Sequence, residues 1–540
     1  MNRGAWTRRQ ALGGVLLAGA GLAAPPVGAA AGVRTPAGVR TPAGAPAPPQ
    51  GGIYDVRFFG AAGDGRRVDT PAINRAIAAA AAGGGGEVWF PAGTYLSYSI
   101  HLASKVTLRL LPGATILAAP CRALGGPGDY DAAEPNPEAG EYEDFGHRHW
   151  HNALLWGEGL SDVAIVGPGL LHGQGLTRGR GESTPGMGDK TLALKNCRNV
   201  LLRDFAILQG GHFGVLATGV DNLTIDNLTI DTNRDGMDLD CCRNVRVAHC
   251  TVNSPWDDGI CPKSSYALGS PRATENVTIS DCLVSGSFQM GSVLDGTFQP
   301  FPAGARVPRT GRIKCGTESN GGFENITIAN CLFDGCQGLA LESVDGALLE
   351  NIAVTNVTMR NITSAPLFLR LGARLRGPRG TAVGRLRRVQ VSNLIVDGSA
   401  TRLCSILTGI PGHPIEDVQL RGVHVRADGG GTAAMAALQP PEQESHYPEP
   451  GDFGPMPAYG FYLRHVRGLD VSDVEFALAR PDERPAFVLD DVAETEFFRV
   501  RPPLAGGAPV FVMRDVRDVS IHRSRGVADR DITALGEGRF

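Results

Sequence analysis

Five segments of this chain begin on asparagine and repeat one pattern: "NVLLRDFAIL" from Asn199, "NLTIDNLTI" from Asn222, "NVRVAHCTV" from Asn244, "NVTISDCLV" from Asn276 and "NITIANCLF" from Asn325. Each sets two or three alternating apolar residues before a polar pair, then a second short alternating stretch. Alternation with period two describes a strand with one buried face. Five later segments, "NIAVTNVTM", "RVQVSNLIV", "DVQLRGVHV", "GLDVSDVEF" and "DVSIHRSRG", carry the same pattern at wider intervals, as loops inserted between units would produce. Units of two or three short strands with almost no helical periodicity can bury their apolar faces only by stacking on one another. The expected fold is therefore all-β: a single-stranded, right-handed parallel β-helix, or solenoid, over residues 51–540. A chain of 540 residues would otherwise suggest three or four domains at roughly 150 residues each. The recurrent asparagine fits a turn in which its amide bonds the backbone. "TPAINRAIAAAAA", with Thr70 as cap and Pro71 in the first turn, predicts a short helix closing the N-terminal end of the stack.

Residues 1–31 read as a twin-arginine signal peptide. "TRRQAL" precedes the apolar "ALGGVLLAGAGLAA" and a small-residue cleavage region. The apolar run is too short to span a bilayer, so no membrane insertion is expected. Residues 32–50, "GVRTPAGVRTPAGAPAPPQ", read as a Pro/Gly/Ala linker outside the fold. The expected location is periplasmic or secreted, by bacterial twin-arginine export.

Residues 1–50 hold five arginines and no acids, which leaves 46 basic against 55 acidic residues in the remainder, a formal charge of -9. That balance argues against a nucleic-acid partner, and it means an anionic substrate must be held by local cations. The eleven cysteines include no pair at zinc spacing. Cys250, Cys282 and Cys331 occupy the same place in successive repeats, which predicts a column of buried thiols.

Asp235 and Asp257 are 22 residues apart, the interval from Asn222 to Asn244. Repeat spacing therefore puts them on adjacent turns facing one side, with Asp258 beside the second. Carboxylates stacked at roughly 4.8 Å should have at least one raised pKa. Separating the pKa values of neighbouring carboxylates is how one residue type supplies both an acid and a base, with no cofactor and no metal. The alternative is a polar ladder of acids facing water.

At these residues the chain resembles glycoside hydrolase family 28, the polygalacturonases. "NRDGMDLD" is similar to that family's Asn-Thr-Asp-Gly block and "WDDGICPKSS" to its Asp-Asp block. "YDVRFFGAAGDGRRVDTPAINRAI", "LLWGEGLSDVAIVGPGLLHGQG" and "GTESNGGFENITIANC" also resemble family segments, so the likeness runs through most of residues 51–365. From about residue 366 only generic repeats are recognisable. The resemblance implies an inverting hydrolase acting on pectic poly- or oligosaccharide. Asp257 would be the general acid, and Asp235 and Asp258 would deprotonate the attacking water.

Two departures stand out. The family's Gly-His-Gly has no histidine counterpart in "TGRIKCGTE", and its Arg-Ile-Lys is replaced by "GLALES", with Ala340 and Glu342 at the cation positions. The "RIK" of Arg312 to Lys314 lies one turn earlier, where it either projects cations into the same groove or is a charged turn. A carboxylate at Glu342 would repel a uronate and accept bonds from neutral hydroxyls, which predicts a subsite for a neutral sugar such as rhamnose and a rhamnogalacturonan-type linkage. Lys263, His212 and Glu318 are further candidate substrate contacts, each with a reading as an ordinary exposed lysine, a buried histidine or a support. Trp256 is read as a stacking surface or a shield for the acid, and Asp238 and Asp240 as supports. Two other functions fit the fold: a polysaccharide lyase, and a non-catalytic glycan-binding protein.

Overall fold

The computed structural model describes residues 52–178, 184–503 and 507–540. The signal-peptide and linker readings lie outside the described residues. From residue 52 onward the chain winds into the expected parallel β-helix. Strand after strand pairs in parallel with its counterpart one turn on, from Ile53–Asp55 to Phe511–His522. One wall carries the candidate site. Its first six strands are β1 (Ile100–His101), β2 (Ala153–Glu158), β3 (Lys190–Lys195), β4 (Phe213–Thr218), β5 (Asp235–Asp240) and β6 (Ile260–Lys263), paired in that order. A bridge from Ile260 to Ile313 continues the wall through Lys314–Cys315, Leu339–Ser343 and Leu367–Leu371.

The repeat positions do what their chemistry requires. Val215, Met237 and Ile260 are fully buried inside, and their neighbours along each strand face out. The asparagines form a ladder, bonded to one another rather than to backbone as the sequence suggested. Asn222 Nδ2 donates to Asn199 (3.0 Å), Asn244 to Asn222 (3.1 Å), Asn276 to Asn244 (3.2 Å), Asn325 to Asn276 (3.2 Å) and Asn351 to Asn325 (2.9 Å). Each of them has φ between 55° and 59°, a left-handed backbone that asparagine tolerates better than most residues. The thiols of Cys250, Cys282 and Cys331 donate in the same way to the carbonyls of Ala248, Ser280 and Ala329, each at 3.2 Å, and every described cysteine is buried and free.

Both ends are closed. Helix α1 (Thr70–Ala82) buries Ala72, Ile73, Ala76, Ile77 and Ala80 against the first turns. Its cap is Asp69, not Thr70; the Asp69 carboxylate accepts from the amides of Ala62 (2.6 Å) and Gly63 (2.9 Å), and Thr70 Oγ1 accepts from Tyr98 N (2.7 Å). At the far end Arg530–Arg539 pairs antiparallel with Phe511–His522, which covers an edge that would otherwise offer unpaired backbone groups.

Asn244→Ala should lower the urea midpoint more than Asn244→Gly. Both lose two ladder bonds, but only alanine is strained at φ 57°, so the glycine variant should retain about 0.5–1 kcal/mol more stability. Equal losses would mean that the left-handed turn is not what asparagine serves there.

Candidate active site

Asp235 opens β5. The register across β5 and β6 is 23 residues, Met237 against Ile260, whereas β4 to β5 is 22, Phe213 against Asp235. The extra residue corrects the expected stacking: Asp258 lies in register with Asp235, and Asp257 sits one position earlier. A glycine follows each in-register aspartate for a steric reason. A Cβ on Gly236 would stand 2.3 Å from the Gly259 carbonyl oxygen, and one on Gly214 would stand 2.5 Å from that of Gly236. The chain can therefore bring carboxylates to this edge only from the positions before the glycines. Each of Asp235, Asp257 and Asp258 offers an oxygen within 4.8 Å of the others.

Their surroundings separate them. Burial alone would raise Asp258, but Lys314 Nζ at 3.1 Å and Arg312 Nε at 2.8 Å outweigh it and hold its carboxyl at about 2. Asp235 moves the other way: burial, then the charges of Asp257 and Asp238, push it well above the usual carboxylate range. Asp257 is the accessible member, with its side chain 31% exposed and Arg234 Nε 3.0 Å from its Oδ2. Arg234 also lies 3.6 Å from Asp235. With Arg234, Arg312 and Lys314 neutralising these oxygens, the arrangement is that of an acid–base site rather than a cation cage.

The candidate substrate contacts do not face open space in this state. His212, Lys263, Arg312, Lys314, Glu318 and Glu342 are each at most 5% exposed. Lys263 bonds Glu318 at 2.9 Å, so the two are paired with each other. Arg312 spans Asp258 and Glu449 (2.8 Å). Lys314 does lie one turn before Ala340, yet its charge is directed at Asp258. Glu342, fully buried and without a hydrogen bond, sits 3.8 Å from Lys314. Burial lifts its pKa to about 7, with Lys314 and Arg312 opposing. His212 stacks on Phe213 (4.2 Å, 13°), and burial, then Arg234, lowers its pKa so that it stays neutral. Asp240 accepts from Ser265 N (2.8 Å) and Oγ (2.6 Å), a support as expected. Trp256 packs edge-on to Phe301 at 5.7 Å, with the Arg178 guanidinium 5.3 Å from its ring centre.

Several residues at the site were not singled out from sequence. Arg234 was hidden inside the aspartate block. His147 arrives on the insertion before β2, with Nε2 3.4 Å from Asp238 Oδ2, so the site contains a histidine after all, delivered from a distant segment. The dense "GHRHWH" was its only sequence signal. Tyr447, 48% exposed, accepts from Thr317 Oγ1 at 2.8 Å on a strap between Ile415–Ala427 and Phe461–Leu478. Arg370 and Arg464 tie that strap down by donating to the carbonyls of Glu442, Gln443, Pro440 and Pro441.

Asp258→Asn should cost about 3–5 kcal/mol of stability, because it strands two buried cations, whereas Asp257→Asn should cost under about 1 kcal/mol. Denaturation of both variants beside the parent measures the difference; equal costs would contradict the division between a buried and an accessible carboxylate.

Comparison with known proteins agrees with this architecture. A family model described as rhamnogalacturonase A/epimerase, pectate lyase-like, matches residues 53–109, and one described as a right-handed β-helix region matches residues 183–300. A probable polygalacturonase of Vitis vinifera is 26% identical over 293 residues, covering 50% of this chain and 58% of the relative. An exo-poly-α-D-galacturonosidase of Dickeya chrysanthemi is 25% identical over 235 residues, covering 42% and 36%. The chain thus spans less than two thirds of either curated relative. Among solved structures, the family 28 exopolygalacturonase of Yersinia enterocolitica gives a TM-score of 0.58 at 18% identity, covering 84% of this chain and 78% of that one. The exopolygalacturonase of Thermotoga maritima gives 0.53 at 17%, covering 90% and 95%. The chain is a right-handed parallel β-helix of the polygalacturonase-like kind, similar to glycoside hydrolase family 28.

Proposed function

We propose that this protein is a glycoside hydrolase that cleaves α-linked galacturonosyl bonds of pectic chains. The observation that carries the reading is the carboxylate trio: three acids with oxygens within 4.8 Å at one edge of the wall, one accessible and two buried. In this reading Asp257, the accessible member, protonates the glycosidic oxygen, and the buried pair orients and deprotonates water, the roles that the family resemblance implies. Inversion rests on the family resemblance, since these oxygens lie closer than the roughly 6.5–9.5 Å usual for inverting pairs. The names of the relatives favour galacturonan, and two of the solved structures and one curated relative are named as exo-acting. The strap bearing Tyr447 and Glu449, bonded to Lys314 and Arg312 on the turn after Asp258, supports attack from a chain end by walling off that side.

The neutral-sugar subsite expected from Glu342 loses its support, because that carboxylate is buried against Lys314. A rhamnogalacturonan-type linkage therefore stands as the second reading, favoured only by the family model that matches residues 53–109. Export by the twin-arginine route, to the periplasm or outside the cell, accords with a polymeric substrate. No described helix is long and apolar enough to cross a membrane.

Products from polygalacturonate and rhamnogalacturonan oligosaccharides, separated by chromatography, test the reading. Galacturonate released from polygalacturonate, without absorbance from an unsaturated uronide, is expected. Asp257→Asn should reduce kcat by at least about 100-fold with KM little changed, as loss of a proton donor predicts. Unsaturated products would instead make the protein a lyase, and binding without turnover a glycan-binding protein.

A further inference from the structure

Arg234 stands where the resembled block has threonine, and its guanidinium joins the two acids whose roles differ most. Its Nε is 3.0 Å from Asp257 and 3.6 Å from Asp235. Its Nη1 reaches the Arg178 carbonyl at 3.2 Å and His212 Nδ1 at 3.3 Å. The charges of Asp238 and Asp189 also act on it, and that of Lys263 acts on Asp235. Unlike Arg312 and Lys314, Arg234 is open to solvent, with its side chain 24% exposed. Beside it lies the Trp256 ring with Arg178 over its face, a pairing of flat apolar surface and cations in a protein whose remaining charge is strongly negative.

Arg234 engages Asp257 Oδ2 at 3.0 Å, and a carboxyl held by a guanidinium is not available to a glycosidic oxygen. A carboxylate arriving on the substrate competes for the same guanidinium, and Arg binds carboxylates through a planar fork that can be transferred between partners. We propose that Arg234 is a specificity-determining residue that exchanges Asp257 for the carboxylate of a bound uronate, so that only an anionic sugar frees Asp257 to act as the acid.

The proton balance closes. In the free enzyme the proton resides on Asp235, whose burial disfavours charge. When the uronate takes Arg234, that proton passes to Asp257, within 4.8 Å. Asp257 gives it to the glycosidic oxygen as the carbon–oxygen bond breaks. The attacking water bonds to the anomeric carbon and loses its proton to Asp235, which restores the starting state.

The proposal rests on the galacturonan reading, and the test separates the two. The parent enzyme is assayed on trigalacturonate and on its methyl ester, with kcat and KM resolved. The ester should lower kcat at least about tenfold, not merely raise KM, because the carboxylate is needed for the proton transfer. In Arg234→Gln the kcat ratio should fall to within about threefold. The pH profile of its kcat/KM should differ from the parent's, since the guanidinium 3.0 Å from Asp257 and 3.6 Å from Asp235 is gone. Arg234→Lys, which keeps the charge, should retain both the ratio and the profile. Equal kcat on acid and ester in the parent enzyme overturns the proposal and requires no variant to fold. So does a glutamine variant that keeps the parent ratio and profile, or a lysine variant that loses them equally. Failure of the parent to cut trigalacturonate at all would instead sink the functional reading.

Discussion

Each turn of this molecule lies directly on the one before it, held by parallel backbone bonds and by side chains that repeat in columns. That stacking brings like residues together at close range, and the rest of the structure consists of ways to make such proximity favourable. Asparagine does so on the outside, because its amide both donates and accepts, and a column of amides satisfies itself from Asn199 to Asn351. Phenylalanine does so inside, with Phe461, Phe487 and Phe511 stacked at 5.5 and 5.2 Å. Charged residues do so most favourably by alternating in sign, as on the site wall: Lys263 pairs in register with Asp240, Arg370 with Glu342, Asp490 with Arg464 and Arg514 with Asp490.

At the candidate active site that alternation breaks. Asp235 and Asp258 stack like on like, and the conflict is resolved unequally. Asp258 receives two buried cations from the following turn, whereas Asp235 shares Arg234 with Asp257, and burial pushes its carboxyl well above the usual range. A pair of stacked aspartates is thereby shifted in opposite directions, although a glycine follows each. The distinction comes from the neighbours: "RIK" lies above one and an insertion-borne histidine lies beside Asp238, next to the other.

The parts visible in sequence were those fixed by the repeat. Alternation, the recurrent asparagines, the thiol column and the aspartate spacing all follow from one-dimensional periodicity, and so they could be read along the chain. The register was missed by one residue because the step from β5 to β6 is 23 rather than 22, and nothing in composition marks which unit carries an extra residue. The burial of Lys263, Glu318 and Glu342 was not legible for a different reason. Polar residues on an outward position are exposed only if nothing covers them, and here loops from residues near 147 and 447 return over the wall. Those contacts join residues 91 and 130 positions apart, and periodicity holds no information about them.

The ladder step from Asn276 to Asn325 crosses 49 residues, yet its bond is 3.2 Å, beside 3.1 Å for the 22-residue step from Asn222 to Asn244. Whatever lies between two rungs is thus mechanically invisible to the stack. A lineage built on this frame can lengthen, shorten or rewrite a loop beside the acids without renegotiating the fold, because the two anchoring turns meet in the same way regardless. Substrate preference can drift in such proteins through length changes alone, while the reacting carboxylates stay where the glycine column leaves room for them.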